Sequence, residues 1–168
     1  ARPPLNIDQA DTLLVVDSLG KEGAFADISF ELKVGEVLGI SGVLGSGRTS
    51  LAKALFGLAA PDHGSITLSG KNIPLGDPIA ATRAGIGYVP EDRLTEGLFL
   101  TQSSIRNVSV GRLDHHRRSG GLLDLVSLTD EARRWIERLR IKAPDYEAEV
   151  KSLSGGNQQR VALARWLS

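Results

Sequence analysis

Cysteine is absent from all 168 residues, which excludes a disulfide framework and any cysteine-based zinc site. Methionine is absent too, and the chain opens Ala-Arg-Pro-Pro, a start that a processed terminus or an internal boundary would each produce. Neither sign of charge is in surplus. Twenty basic and twenty acidic residues leave a formal net charge of zero, which argues against a nucleic-acid module, whose footprint is a basic excess. No apolar run is long enough to span a bilayer, and the first residues lack the pattern of a signal peptide. The expected setting is therefore cytoplasmic. What is present is an ordinary globular composition, 41% hydrophobic, in a chain long enough to bury about 70% of its unfolded surface.

Residues 1–11, with Pro3 and Pro4 adjacent, read as a linker. Residues 12–97 read as a β-rich part that carries a glycine-rich loop, and residues 98–168 as a helical subdomain. Strands are expected over residues 12–16, over the run Phe25, Ile28, Phe30, Leu32 and Val34, and over 65–68. The short apolar runs 37–40 and 86–89 have the look of strands buried on both faces. Helices are expected from Thr49 to Phe56, stopped by Gly57, and over 78–84. A third is expected from a Thr129 cap, with Ala132, Trp135, Ile136 and Leu139 on one face, ending before Pro144. A last helix is capped by Ser154 and runs through Val161 and Leu167. Residues 112–121 read as a polar loop. His63, His115 and His116 read as solvated, and Trp135, Trp166 and Phe25 as core.

Two glycine motifs stand out. Gly42-Val43-Leu44-Gly45-Ser46-Gly47-Arg48-Thr49, followed by Ser50, has the spacing G-x-x-x-x-G-K-[ST] with arginine in place of lysine. Such a loop needs glycines because backbone N–H groups must turn inward around phosphate oxygens, where a Cβ would intrude. A following helix adds its positive end, and Thr49 offers a hydroxyl to Mg²⁺. Arg48 keeps the charge of lysine in a bulkier, planar form. The second motif, Leu153-Ser154-Gly155-Gly156-Asn157-Gln158, followed by Gln159 and Arg160, is a helix start with exposed backbone N–H groups and a second place for an anion.

Leu-Ser-Gly-Gly with a glutamine pair and arginine resembles the signature motif of ATP-binding-cassette (ABC) proteins, and a phosphate loop about a hundred residues upstream agrees with it. The run Gly87-Tyr88-Val89-Pro90-Glu91-Asp92-Arg93, with Glu96-Gly97-Leu98, narrows the resemblance to the second cassette of duplicated ribose, galactose and xylose importer subunits. The resemblance implies an α/β fold of the P-loop NTPase, ABC type. Its parts would be an antiparallel β part, a partial parallel core and a helical subdomain. It implies ATP and Mg²⁺ as cofactors, the ion held by Thr49 and, with it, Glu91 at the Q-loop position. It places residues 42–50 and Glu91 around this domain's own nucleotide, and Leu153 to Gln158 on ATP held by a second cassette, from the same parent chain or a homodimer. It also implies membrane permease subunits as partners, no nucleic acid, and a location peripheral to the inner face of the cell membrane. The alternative is a non-hydrolysing module that binds nucleotide and a partner. Arg48, Asn157 at the usual glutamine position, and the want of an aromatic residue near Leu19 or Gly20 all depart from the family pattern. The family's catalytic Asp-Glu pair follows the signature helix and is not among these residues, so no catalytic residue is assigned and the 168 residues alone are expected to be inactive. Exposed apolar surface is expected where further strands of the sheet would pack.

Overall fold

The computed structural model describes residues 10–118, 120–143 and 145–168, with Asp114 described by its backbone alone. Residues 1–9 of the linker expected over 1–11, and the stop at Pro144, lie outside the described residues. Two compact units divide between Tyr88 and Val89, so residues 89–97 fold with the second unit.

The first unit is built on an antiparallel sheet. Strand β1 (Thr12–Lys21) pairs with β2 (Phe25–Lys33) on one side and β3 (His63–Leu68) on the other, and a two-residue β4 (Lys71–Asn72) closes the edge. β1 runs five residues beyond the expected strand because its alternation breaks and resumes. Strict alternation cannot place both Val16 and Leu19 inside. The ladder shifts register between them, and Ser18 takes φ 48°. Such an irregularity re-aims the following side chains. Val16 and Leu19 are then both buried with Ile66, Ile73, and Leu51 and Ala54 of helix α1 (Arg48–Leu55). Gly57, with φ 84°, ends α1 as expected. Helix α2 (Pro78–Ala84) starts from Asp77, whose carboxylate accepts from the N–H groups of Ile79 and Ala80, both at 2.9 Å.

The apolar runs 37–40 and 86–89 do not form strands here. A strand buried on both faces exists only through neighbours that complete its ladder, and no described strand pairs with either run. The parallel part of the expected core is therefore not formed among the described residues. Apolar residues of the run 37–40 are exposed, Val37 at 93% and Ile40 at 49%.

The second unit is helical. Helix α3 (Ser104–Ser109), a 3₁₀ segment (Val110–His116), α4 (Leu125–Arg138) and α5 (Gly155–Leu167) bury Ile105, Val108, Ala132, Ile136, Val150 and Val161 in one core. α4 begins four residues before the Thr129 cap expected from sequence. Its cap is Asp124, which accepts from Ser127 N–H at 3.2 Å. A hydrogen bond from Arg118 first, then that backbone contact, holds the Asp124 carboxyl below the usual carboxylate range. Leu125 and Val126 in the first turn are exposed, so hydrophobic periodicity concealed the start. Nor is 112–121 wholly a loop. Its first part is the 3₁₀ segment, and His116, only 11% exposed, meets Glu131 at 2.6 Å. Trp135 packs against the core as expected, with Arg138 over its ring.

A buried amide locks this unit. Asn107 is fully buried, its Nδ2 faces the carbonyls of Phe99, Gln102 and Ser103, and its Oδ1 accepts from Phe99 N–H at 2.9 Å. Arg165 of α5 completes the arrangement, donating from Nη2 to Asn107 Oδ1 and from Nε to the Asn107 carbonyl, at 2.9 and 3.0 Å. Burial pushes the Arg165 pKa down, yet the group stays charged. Leu128, Ala132 and Ile136 form the buried stripe of α4. Ile136→Ala is expected to cost about 2–5 kcal/mol, the range for truncating a packed core aliphatic. Leu125→Ala, at a position 65% exposed, should stay within about 0.5 kcal/mol. Urea unfolding followed by helical circular dichroism separates the two.

Candidate functional site

Five α-helices start among the described residues, and their starts fall into two kinds. Helices α2, α3 and α4 are capped by the side chains of Asp77, Ser103 and Asp124. Helices α1 and α5, the two that follow the glycine motifs, have no side-chain cap and no acidic residue in the first turn. The first N–H groups of a helix have no partner within it, so an uncapped start leaves them to solvent or to a ligand.

The first open start is the loop 42–49. Val43 to Ser46 form a turn, closed by Ser46 N–H on the Val43 carbonyl at 3.1 Å. Gly45 and Gly47 take φ 81° and 83°, a region that favours glycine. Gly47 also packs where a Cβ would run into the backbone carbonyl of Ala24, so the β1–β2 turn rests against the loop. A Cβ on Gly42 would strike the Ser46 side chain. Gly42, Val43, Leu44, Gly45 and Ser46 are exposed, as are Arg48 and Thr49, and Ser50 is half-buried. Leu19, near the position where an aromatic platform was sought, is fully buried in the core. Phe25 packs partly against that core, as expected, but it also lines an open depression of about 510 Å³ with Lys21, Asp62 and His63.

The second open start is residues 153–158. Leu153 is buried in the helical core and anchors the segment. Ser154, Gly155 and Gly156 are exposed. Ser154 stands at the cap position expected for it, but its hydroxyl does not bond to the helix backbone. Instead Ser154 Oγ accepts from Asn157 Nδ2 at 3.0 Å. Asn157 Oδ1 accepts from Lys142 N–H at 3.0 Å, and Gln158 is buried with its Nε2 donating to the Val150 carbonyl at 3.3 Å. Two neighbours were not legible in the sequence. Arg93 places Nη2 3.0 Å from where a Cβ on Gly155 would stand, and its Nε is buried without a partner. Asp92 caps the tight turn Arg93–Gly97, and hydrogen bonds from the Thr95 hydroxyl, then its N–H, hold the Asp92 carboxyl below the usual range.

Glu91 is exposed in the second unit, whereas Thr49 lies in the first. No group of three or more His, Cys, Asp or Glu side chains able to hold a metal occurs among the described residues. Mg²⁺ is compatible with this, because it commonly keeps its waters and takes one or two protein oxygens beside phosphates. No described helix is long and apolar enough to cross a membrane.

A family model described as ABC transporter matches residues 25–168. The chain belongs to the ABC transporter family. Both glycine motifs lie within the matched span of this ABC domain. It is 45% identical over 158 residues to the ribose import ATP-binding protein RbsA of Chromobacterium violaceum, covering 92% of this chain and 31% of that one. A putative ribose/galactose/methyl galactoside import ATP-binding protein of Agrobacterium fabrum is 38% identical, with 94% and 31% covered. The chain thus spans about a third of the length of the curated relatives it matches. Among solved structures, it resembles a dimeric ATP-binding cassette bound to ADP and Pi in a post-hydrolysis state, at TM-score 0.74 and 22% identity, with 92% and 69% covered. A bacterial Atm1-family ABC exporter with ATP bound gives TM-score 0.69 at 26% identity, with 98% and 28% covered. The ABC cassette fold expected from sequence is the fold of the solved structures it resembles, here incomplete, with the parallel strands not formed among the described residues.

The two glycines of the first loop are not equivalent. Gly45→Ala meets open space and should cost about 1–2 kcal/mol, the penalty of a left-handed non-glycine residue. Gly47→Ala adds a clash with the Ala24 carbonyl and should cost clearly more. Denaturant midpoints of the two variants test this, and equal shifts would contradict the packing described.

Proposed function

We propose that the chain is the ATP-binding, energy-coupling cassette of a bacterial sugar importer, peripheral to the inner face of the cell membrane. The observation that carries this is the contrast among helix starts. The two starts that follow glycine motifs are left uncapped, and the other three are closed by their own side chains. The sugar class follows from relatives whose names concern ribose or galactose import.

In this reading residues 42–50 cradle one ATP through backbone N–H groups. Thr49 holds its Mg²⁺, and the ion supplies charge neutralisation at the phosphates. Arg48 takes the role of the usual lysine. Residues 153–158 serve a different nucleotide, held by the phosphate loop of a partner cassette in the same parent chain or in a second copy. Ser154 and the N–H groups of Gly155 and Gly156 receive its terminal phosphate. Glu91 to Phe99, where Leu94 and Phe99 are exposed, faces the membrane permease. Arg48 favours a second reading for the loop 42–50, as a site that binds nucleotide without turning it over, because a planar guanidinium does not replace a compact ammonium in a narrow slot. ATP turnover by the full-length subunit after Arg48→Lys distinguishes the two: turnover rises if the loop is a degenerate site and is unchanged if arginine serves as well.

The two motifs should differ in their importance to transport. Gly155→Asp places a carboxylate beside Arg93 and where phosphate must approach, and a lost charge-assisted contact costs about 1.5–3 kcal/mol. In the full-length subunit assembled with its permease, sugar uptake should nearly vanish with Gly155→Asp and fall only in part with Arg48→Ala. The opposite ranking would show that the assignment of the working site is reversed.

A further inference from the structure

The hydrogen bonds around Asn157 fix which end of its amide faces Ser154, and with it the role the serine oxygen takes in that contact. A backbone N–H can only donate, so the Asn157 atom that meets Lys142 N–H at 3.0 Å must be the carbonyl oxygen. Arg160 Nη1 approaches the same oxygen at 3.4 Å, and it too can only donate. The other end of the amide is therefore NH₂, which can only donate, and it meets Ser154 Oγ at 3.0 Å. The serine oxygen accepts that bond, so its own hydrogen cannot lie along the same line. Ser154 Oγ donates to no atom among the described residues. Its side chain is exposed at the uncapped start of α5, next to two glycines.

The support for Asn157 comes from outside the helix. Lys142 lies just after α4, where Arg140 takes φ 51° and turns the chain. Arg160 also donates to the Arg140 carbonyl at 3.0 Å, so this turn is tied to α5 at two places. The amide is thereby held in one of its two orientations before any ligand arrives.

We infer that Asn157 is a positioning residue that holds the Ser154 side chain so that its hydroxyl hydrogen is left to donate to a phosphoryl oxygen at this helix start. The inference rests on the proposed pairing of residues 153–158 with a partner cassette's nucleotide. It goes beyond it by assigning the donor and the residue that holds it.

The test uses the full-length subunit assembled with its permease and carrying a dye pair on the two cassettes. Closure of the pair is read as a function of the concentration of an ATP analogue with an imido β–γ bridge, which is not hydrolysed. Ser154→Ala removes the donor and should raise the half-closing concentration about 10-fold or more. Asn157→Leu keeps the volume but cannot direct the hydroxyl, and should raise it about 3–10-fold. The deciding measurement is the double variant, in which Asn157→Leu should add less than about 2-fold to Ser154→Ala, because nothing remains to position. Asn157→Asp, which captures the serine proton, should be worse than Ser154→Ala alone. Equal effects of Asn157→Leu with and without Ser154 would show a merely structural role and overturn the inference, as would a wild-type response in the single variant. If Ser154→Ala itself is silent while the pair still closes, the proposed role of residues 153–158 fails, and the inference fails with it.

Discussion

The first N–H groups of a helix need a partner from outside the helix, and the arrangement of this chain follows from where such partners are withheld. Three helices take them from Asp77, Ser103 and Asp124. At α1 and α5 the residue at the cap position supplies no side-chain partner, and glycines flank the start. The cost is modest at each place, since a missing cap is worth about 0.5–2 kcal/mol. An anion that arrives there finds oriented donors and the positive end of the helix, which together repay the loss.

Open starts require rigid support. At α1 it comes from the β1–β2 turn, because Gly47 lies against the Ala24 carbonyl and ties the loop to the sheet. At α5 it comes from both ends of the helix. Leu153 and Gln158 fix the start to the core and to the Val150 carbonyl, and Arg165 fixes the other end to the buried Asn107. Arginine suits that task, since its planar fork donates in two directions while its face covers the Phe99 ring at 5.2 Å. Each glycine motif is thus exposed on top of a packed base.

Much of this was legible in the sequence, for identifiable reasons. The spacing of glycines in 42–49 and 153–158 singled out both uncapped helix starts, because backbone access leaves glycine little alternative. Strands with local partners, such as β2 and β3, are visible as short apolar runs bounded by turns. The misses came where local pattern and tertiary context disagree. β1 outruns the pattern of residues 12–16 because the irregularity at Ser18 breaks its alternation. α4 was placed late because Leu125 and Val126 are apolar yet exposed. The runs 37–40 and 86–89 have strand composition, but a strand also needs neighbours. Asn157 was visible only as a departure from a family pattern, since its significance lies in Lys142, fifteen residues away and on another segment. Arg93 likewise stands in the sequence only as the end of the run 87–93, and only folding places it beside Gly155.

The central claim is that the two open starts serve two different nucleotides. A structure of the full-length subunit with ATP bound and hydrolysis prevented tests this most directly. The account predicts that Ser154 Oγ lies within hydrogen-bond reach of the terminal phosphate of an ATP whose phosphates are wrapped by the partner cassette's loop. The nucleotide on residues 42–49 would in turn be met by the partner's signature segment. A single ATP bridging residues 42–49 and Ser154 of the same cassette would contradict it.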